Sequence, residues 1–340
     1  MNHKAVFFNL EPWAQDYISG SEKLKSAGVA VGFENHVLDV SHMPADVDFD
    51  IAGIFVDSTL KKEVIGYLPK LKHIATLSTG FDHIDKDAAA AAGVSVSSVP
   101  SYGENTVAEY AFGLILALSR KICDTHCRVR EEGSFSLEGL RGFDLAGKTI
   151  GVVGTGHIGQ HAIRIAKGFG MNVMAYDPYP NEKFAEDMGF KYTPLAELLA
   201  ASDIITLHVP YLPATHHLIN KNNIGSVKKG AYIINTARGA VIETDALVGA
   251  LKSGQLGGAG LDVLEEEGMV KDELNALVAG RAGEFDLKTV LEDHVLIDMP
   301  NVLITPHNAF NTTEAFQRIL DTAIGNIVAF ANGQPVNLVK

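Results

Sequence analysis

Arg238 lies in the stretch Asn235-Thr236-Ala237-Arg238-Gly239, directly after the apolar run Ala231–Asn235. A guanidinium in that place could grip a carboxylate through two parallel hydrogen bonds and polarise a neighbouring keto oxygen, a fork that a lysine cannot reproduce. His307 stands in Thr305-Pro306-His307-Asn308-Ala309-Phe310, after the run Val302–Ile304. Imidazole is the side chain that gives or takes a proton near neutral pH. A carbonyl reduction needs a hydride on carbon and a proton on oxygen, and these two residues would serve its substrate and its proton. With 13 histidines in the chain, position has to single out this one.

A hydride carrier is suggested by Gly154-Thr155-Gly156-His157-Ile158-Gly159, which follows the apolar run Thr149–Val153 and opens a helical stretch, Ile158–Phe169. In that strand-to-helix context Gly154 allows the tight turn, and Gly156 lets backbone N–H groups approach a pyrophosphate at a helix N-terminus. Gly159 lets the helix pack on the sheet. The next run, Val173–Tyr176, ends in Asp177. Its carboxylate can accept hydrogen bonds from ribose hydroxyls and would repel a 2′-phosphate, so the cofactor expected is NAD. Asp177 also precedes Pro178 and can equally initiate a turn.

The elements that must hold these residues alternate between strand and helix. From Lys148 onward the strand-like runs are Thr149–Val153, Val173–Tyr176, Asp203–Val209, Ala231–Asn235, Gly258–Val263 and Val302–Ile304. The first hundred residues repeat the rhythm with Ala5–Phe8, Ile51–Val56, His73–Leu77 and Val94–Ser97. The fold class that follows is α/β, with two doubly wound parallel sheets. Between the two series, Ser101 and Glu104 form a capping-box pattern ahead of Val107, Tyr110, Ala111, Leu114, Ile115, Leu118 and Ile122. They predict one long amphipathic helix bridging two domains, its apolar face serving the core or a subunit interface. A last helix is predicted over Thr312–Asn332, with Phe316, Ile319, Leu320, Ala323, Ile324 and Ile327 on one face.

Composition narrows the function. A 340-residue chain is longer than one core usually grows. No stretch approaches the roughly 18 apolar residues of a membrane span, so no membrane association is expected. A formal charge of −13 argues against nucleic acid as a partner. The only cysteines, Cys123 and Cys127, lie four apart in a helical pattern, which suits reduced core thiols better than a disulfide or a metal site. No metal is expected, and a cytoplasmic location is.

Taken together, the glycine fingerprint, Asn235–Gly239, Gly260-Leu261-Asp262-Val263 and Pro306-His307 resemble the D-2-hydroxyacid dehydrogenase family over nearly the whole chain. Ser78-Thr79-Gly80-Phe81-Asp82-His83-Ile84-Asp85, Ser134–Leu140 and Tyr176–Pro180 are similar to its fermentative D-lactate branch. The resemblance implies a cofactor domain, 102–304, inserted into a substrate domain made of 1–101 and 305–340, with a cleft between them. It puts the catalytic arginine on Arg238 and the acid–base histidine on His307. The glutamate that orients the histidine falls on Glu267, which spacing alone could not separate from Glu265 and Glu266; those neighbours are then expected to be solvated loop charges. It further implies His208, Val209, Pro210, Thr236, Ala237 and Asp262 along the cofactor, Ser78, Thr79 and Gly80 as backbone donors to the substrate carboxylate, and Tyr102 and Phe310 as walls of the side-chain pocket. Two aromatic walls would favour a small methyl group, although both could be ordinary packing.

The implied reaction is the reduction of pyruvate to D-lactate with NADH, in a homodimer or homotetramer. Two readings stand beside it: a dehydrogenase for a bulkier acid such as phenylpyruvate or 2-ketoisocaproate, and an NAD(H)-sensing corepressor or scaffold on the same fold. One departure bears on substrate choice. Gly268 follows Glu267 where most of the family has proline, and the long charged segment Met269–Met299 is expected to be a surface excursion.

Overall fold

Parallel strands cannot be joined by tight turns. Each needs a crossover, usually a helix, which covers the sheet and buries the strands from both faces. The computed structural model describes residues 3–267 and 286–339. Its strands are β1 (His3–Phe8), β2 (Val29–Glu34), β3 (Ile51–Ile54), β4 (His73–Thr76), β5 (Ser95–Ser97), β6 (Thr149–Val153) and β7 (Asn172–Tyr176), followed by β8 (Lys191–Tyr192), β9 (Ile204–Leu207), β10 (Ala231–Asn235), β11 (Leu256–Leu261) and β12 (Val302–Ile304). They form a five-stranded sheet in the order β2-β1-β3-β4-β5 and a seven-stranded sheet in the order β12-β11-β10-β9-β6-β7-β8. Every strand pairing in both is parallel.

The contacts divide the chain into one unit of Met1–Gly103 with Thr312–Lys340 and another of Glu104–Asn311. The second unit is therefore continuous in sequence, and the first is made of two segments. His307 and Phe310 belong to the second unit, whereas the sequence reading ended that domain at residue 304.

Strands β2 and β8 had no counterpart in the sequence reading. Both are edge strands with one neighbour each, and most of their residues are only half-buried, so neither carries a strong apolar run.

The predicted bridging helix is two helices. Glu104–Ser119 buries Val107, Ala108, Ala111, Phe112, Leu114 and Ile115, and packs within the second unit on His157–Gly168 and β11. Lys121 then takes a left-handed conformation, φ +51°, which breaks the run before Ile122–Glu132. That following helix buries none of its residues, so Cys123 and Cys127 are exposed free thiols, not core thiols as expected. The reason lies in its composition: Asp124, Arg128, Arg130, Glu131 and Glu132 leave it without an apolar stripe wide enough to be drawn into the core.

Of the expected excursion Met269–Met299, residues 269–285 lie outside the described residues, and Leu287–Ile297 is a helix capped by the Asp286 side chain.

At the C-terminus, Thr312 caps a helix over Thr313–Ala331 by accepting the Ala315 N–H at 3.2 Å. Its face Ile319, Leu320, Ala323, Ile324 and Ile327 is buried in the first unit, beside β4 and the short helix Glu22–Ser26. Asn326 extends the same attachment by donating to the Ser98 carbonyl at 2.9 Å. Leu320→Ala should destabilise the first unit by about 2–5 kcal/mol. A thermal melt with an unchanged midpoint would show that this helix does not hold the unit together.

Candidate active site

In the seven-stranded sheet the chain moves outward from β6 through β7 to β8, then returns to β9 on the other side of β6 and continues to β12. Strand order reverses beside β6, and the carboxyl ends at such a point are where open α/β sheets bind ligands. Gly154 follows β6, His208 follows β9, Thr236 follows β10, Asp262 follows β11 and Thr305 follows β12. Nearly all the residues picked out for cofactor and catalysis thus stand on one edge of one sheet.

The glycine turn is held by backbone contact. Gly154 has φ +92° and donates its N–H to the Tyr176 carbonyl at 2.8 Å; a Cβ there would come within 2.5 Å of the His208 carbonyl oxygen. A Cβ on Gly159 would lie 2.0 Å from the Gly154 carbonyl oxygen. Gly156 faces open space at the start of the helix His157–Gly168, where His157 and Ile158 begin the first turn and its backbone N–H groups can meet an anion.

Asp177 does two things. Its Oδ2 accepts the Thr155 N–H at 2.7 Å and the Thr155 hydroxyl at 3.0 Å, and its Oδ1 accepts the Tyr179 N–H at 2.9 Å. It is both a strut under the glycine turn and the start of its own turn. Tyr192 joins this network through its hydroxyl, 2.9 Å from that of Thr155. The sequence reading missed Thr155 and Tyr192, because neither has a spacing that marks a site.

Further along the edge, two buried polar atoms lack a hydrogen-bond partner among the described residues: His208 Nδ1 and Thr236 Oγ1. His208 Nε2 is 3.0 Å from the Thr206 hydroxyl, and burial pushes the imidazole down to about 4, so it stays neutral at physiological pH. Val209 and Ala237 are buried beside these atoms in sequence, while Pro210 is exposed. An anion-ready helix start, a carboxylate after the second strand and unsatisfied buried polar atoms at the next strand ends together suit a dinucleotide.

Asn235, buried at the end of β10, staples the arginine turn. Its Oδ1 accepts the Ala237 N–H at 3.0 Å, and its Nδ2 donates to the Arg238 carbonyl at 2.9 Å. Arg238 Nη1 donates to the Ala237 carbonyl at 2.8 Å. On β11 the buried Asp262 organises a second turn: Oδ1 accepts the Thr305 hydroxyl at 2.5 Å and the Asn308 N–H at 2.9 Å, and Oδ2 accepts the Ala309 N–H at 2.8 Å. Burial raises the Asp262 pKa, opposed by those three donors and by the charge of His307. His307 takes φ +52° in this turn and donates its N–H to the Asp262 carbonyl at 2.8 Å. Its Nδ1 lies 2.9 Å from Glu267 Oε1. Asn235 is paired in register with Leu261, and Leu261 with Ile304. Arg238, Asp262 and His307 therefore follow three adjacent strands.

The neighbours of Glu267 are not solvated charges. Glu265 is 16% exposed in its side chain; it meets His217 Nε2 at 2.5 Å and accepts the Thr244 N–H at 3.2 Å and the Thr244 hydroxyl at 2.8 Å. Glu266 is half-buried, and burial raises its pKa. The polar groups that hold Glu265 lie outside its own sequence neighbourhood, so the local run of charge misled.

Ser78, Thr79, Gly80 and Tyr102 belong to the first unit. The Ser78 hydroxyl donates to the Gly80 carbonyl at 2.7 Å, within its own turn, and the Thr79 hydroxyl ties that turn to the segment after β5 by donating to the Val99 carbonyl at 2.6 Å. The Tyr102 carbonyl accepts from Arg318 Nε. Phe310 lies in the turn after His307, which the Asn311 N–H closes by donating to the Asn308 carbonyl at 3.0 Å.

The chain matches the family model for the NAD binding domain of D-isomer specific 2-hydroxyacid dehydrogenases over residues 112–309. It belongs to that family. This dehydrogenase is 40% identical to the D-lactate dehydrogenase of Escherichia coli, over 83% of this chain and 83% of that one. Among solved structures, a structure described as the pyruvate reductase of Chlamydomonas reinhardtii superposes with a TM-score of 0.86 at 40% identity, covering 98% of each chain. The D-lactate dehydrogenase of Aquifex aeolicus, complexed with NAD and lactic acid, superposes with a TM-score of 0.84 at 35% identity, covering 97% of this chain and 96% of that one. The cofactor is NAD, and the strand-edge features described above fit it. No helix among the described residues is long and apolar enough to cross a membrane.

Because a Cβ on Gly159 has only backbone to displace, Gly159→Ala should weaken NADH binding at least about tenfold by shifting the phosphate turn. Fluorescence titration with NADH checks this. Wild-type affinity would show that the turn is not under that constraint.

Proposed function

We propose that this dehydrogenase reduces pyruvate to D-lactate with NADH, with Arg238, Glu267 and His307 as its catalytic residues. The observation that carries the reading is the 2.9 Å contact between Glu267 and His307, made across the strand edge that also bears Arg238. Bound NADH supplies the hydride that reduces the keto carbon. Arg238 grips the substrate carboxylate through its planar fork and polarises the adjacent carbonyl. The His307 Nδ1–H donates to Glu267, which fixes the ring orientation and leaves Nε2 to deliver a proton to the carbonyl oxygen. In the reverse direction a neutral His307 removes that proton from the hydroxyl. Asp262 holds the turn beneath the histidine and stands at the nicotinamide end of the strand edge. By the family resemblance, Ser78, Thr79 and Gly80 are assigned to the substrate carboxylate, and Tyr102 and Phe310 to the substrate side chain.

The names carried by the Escherichia coli, Chlamydomonas reinhardtii and Aquifex aeolicus proteins support pyruvate and lactate as the substrate pair. We also propose a homo-oligomer in the cytoplasm. The exposed apolar residues Ile122, Val129, Phe135 (85% exposed) and Leu137 (81%), close together in sequence, support the first, because a partner surface would take them out of water. The two free cysteines support the second.

Oxidation of NADH should be fastest with pyruvate, slower with phenylpyruvate, 2-ketoisocaproate and glyoxylate, and should yield D-lactate. A higher kcat/KM for a bulkier acid would keep the mechanism and reject pyruvate as the preferred substrate. Absence of turnover with all four would leave the NAD(H)-sensing reading. His307→Ala should cost about 10²–10⁴ in kcat with NADH affinity nearly unchanged, and wild-type turnover would remove His307 from the mechanism. Arg238→Lys should chiefly lower kcat/KM for the keto acid, since the fork is lost; unaltered kinetics would reject the clamp.

A further inference from the structure

Three glutamates in a row take three different partners, and the backbone between them has to be held for that to happen. Glu265 turns to His217 and Thr244, and Glu267 to His307. Between them, the N–H of Glu266 is donated to Oδ2 of Asp293 at 3.3 Å. Asp293 is fully buried on the helix Leu287–Ile297, which packs against the helix Thr244–Lys252. Its other oxygen, Oδ1, is also buried and has no hydrogen-bond partner among the described residues. A buried carboxyl with one oxygen unsatisfied is costly, and nothing in the proton-transfer reading above uses it.

Two further observations tie Asp293 to the site. It lines a small crevice together with Asn235, Gly239, Thr244, Glu265 and Leu296, so the arginine turn and the glutamate turn meet at one place. At Gly239, the residue after Arg238, a Cβ would lie 2.0 Å from the Leu264 carbonyl carbon and 2.4 Å from the Glu265 nitrogen. The two turns are thus in backbone contact on one side, and Asp293 holds the glutamate turn from the helix on the other.

We propose that Asp293 is a positioning residue for the proton-transfer pair: by accepting the Glu266 N–H it sets the turn from which Glu267 reaches His307. The inference rests on the role given to Glu267 above. The carboxyl is pushed up to about 7 by its burial, and the nearby negative charges of Glu265 and Glu266 act in the same direction. Near neutrality the neutral form is well populated, and a neutral carboxyl offers the same acceptor as an asparagine side chain. Oδ2 meets a backbone N–H, so the acceptor, not the charge, is what the turn needs.

The test compares Asp293→Ala, Asp293→Ser and Asp293→Asn with Glu267→Gln and the Asp293→Ala/Glu267→Gln double variant. The assay is NADH-dependent reduction of the best 2-keto acid, with thermal melts and NADH titrations on every variant. Asp293→Ala should keep its affinity for NADH and lose about 10–100-fold in kcat, the scale of a misplaced catalytic group. Asp293→Asn should restore kcat close to wild type, and the double variant should be no slower than Glu267→Gln alone, because both changes disable the same pair. If Asp293→Ala does not fold, Asp293→Ser carries the same comparison. Wild-type kcat in a folded Ala or Ser variant, failure of Asn to rescue, or losses that multiply in the double variant would each overturn the proposal. Failure of both Ala and Ser to fold would also overturn it, by making Asp293 a residue of stability alone. Wild-type kcat in Glu267→Gln would instead reject the role of Glu267 itself, so the two failures are told apart.

Discussion

A single buried carboxylate, that of Asp262, holds the turn on which the rest of the site depends. Taking a carboxylate out of water is unfavourable unless its oxygens are satisfied, and here a hydroxyl and two backbone N–H groups, from Thr305, Asn308 and Ala309, do so. The Asp262 main-chain carbonyl adds a fourth attachment by accepting the His307 N–H. The turn so built can keep His307 in a left-handed conformation, which costs of order 1–3 kcal/mol and persists only where the surroundings over-determine it. The imidazole is thereby aimed before any substrate arrives. Its contact with Glu267 and its place beside the arginine turn both presuppose that aim.

Around this turn the strand-end loops are interlocked by backbone contact. Gly154 lies against His208, Gly159 against Gly154, and Gly239 against Leu264 and Glu265, each too close for a side chain. Loops packed in this way cannot shift one at a time, which gives a site made of separate sequence segments the stiffness that catalysis requires. Local placement of charge also matters more here than the total. The chain carries a formal charge of −13, yet Asn235 pins the backbone of a turn that brings one guanidinium, that of Arg238, to the strand ends.

Much of this was legible in the sequence. Apolar runs alternating with helical periodicity predict the parallel sheets, because strands covered on both faces have little room for polar residues. The glycine spacing marks the phosphate turn, because only glycine tolerates those approaches. Motif register singled out Arg238, Glu267 and His307; the structure has Arg238 after β10, His307 after β12, and Glu267 against His307. The edge strands Val29–Glu34 and Lys191–Tyr192 were not legible, since a strand with one neighbour and a half-exposed face carries a weak pattern. Nor was the break at Lys121, where the apolar periodicity of the preceding helix runs on through a left-handed residue.

By itself, then, the sequence determined the class of fold, the dinucleotide turn and the residue types able to do the chemistry, because each is written in spacings of a few residues. Only the tertiary structure decided the partners of the charges beside Glu267. Glu265 goes to His217 and Thr244, and the Glu266 N–H to Asp293. It also left Cys123 and Cys127 on the surface. Those outcomes depend on contacts between segments tens of residues apart, or on whether a helix finds a core to pack against. Neither is encoded in any local pattern.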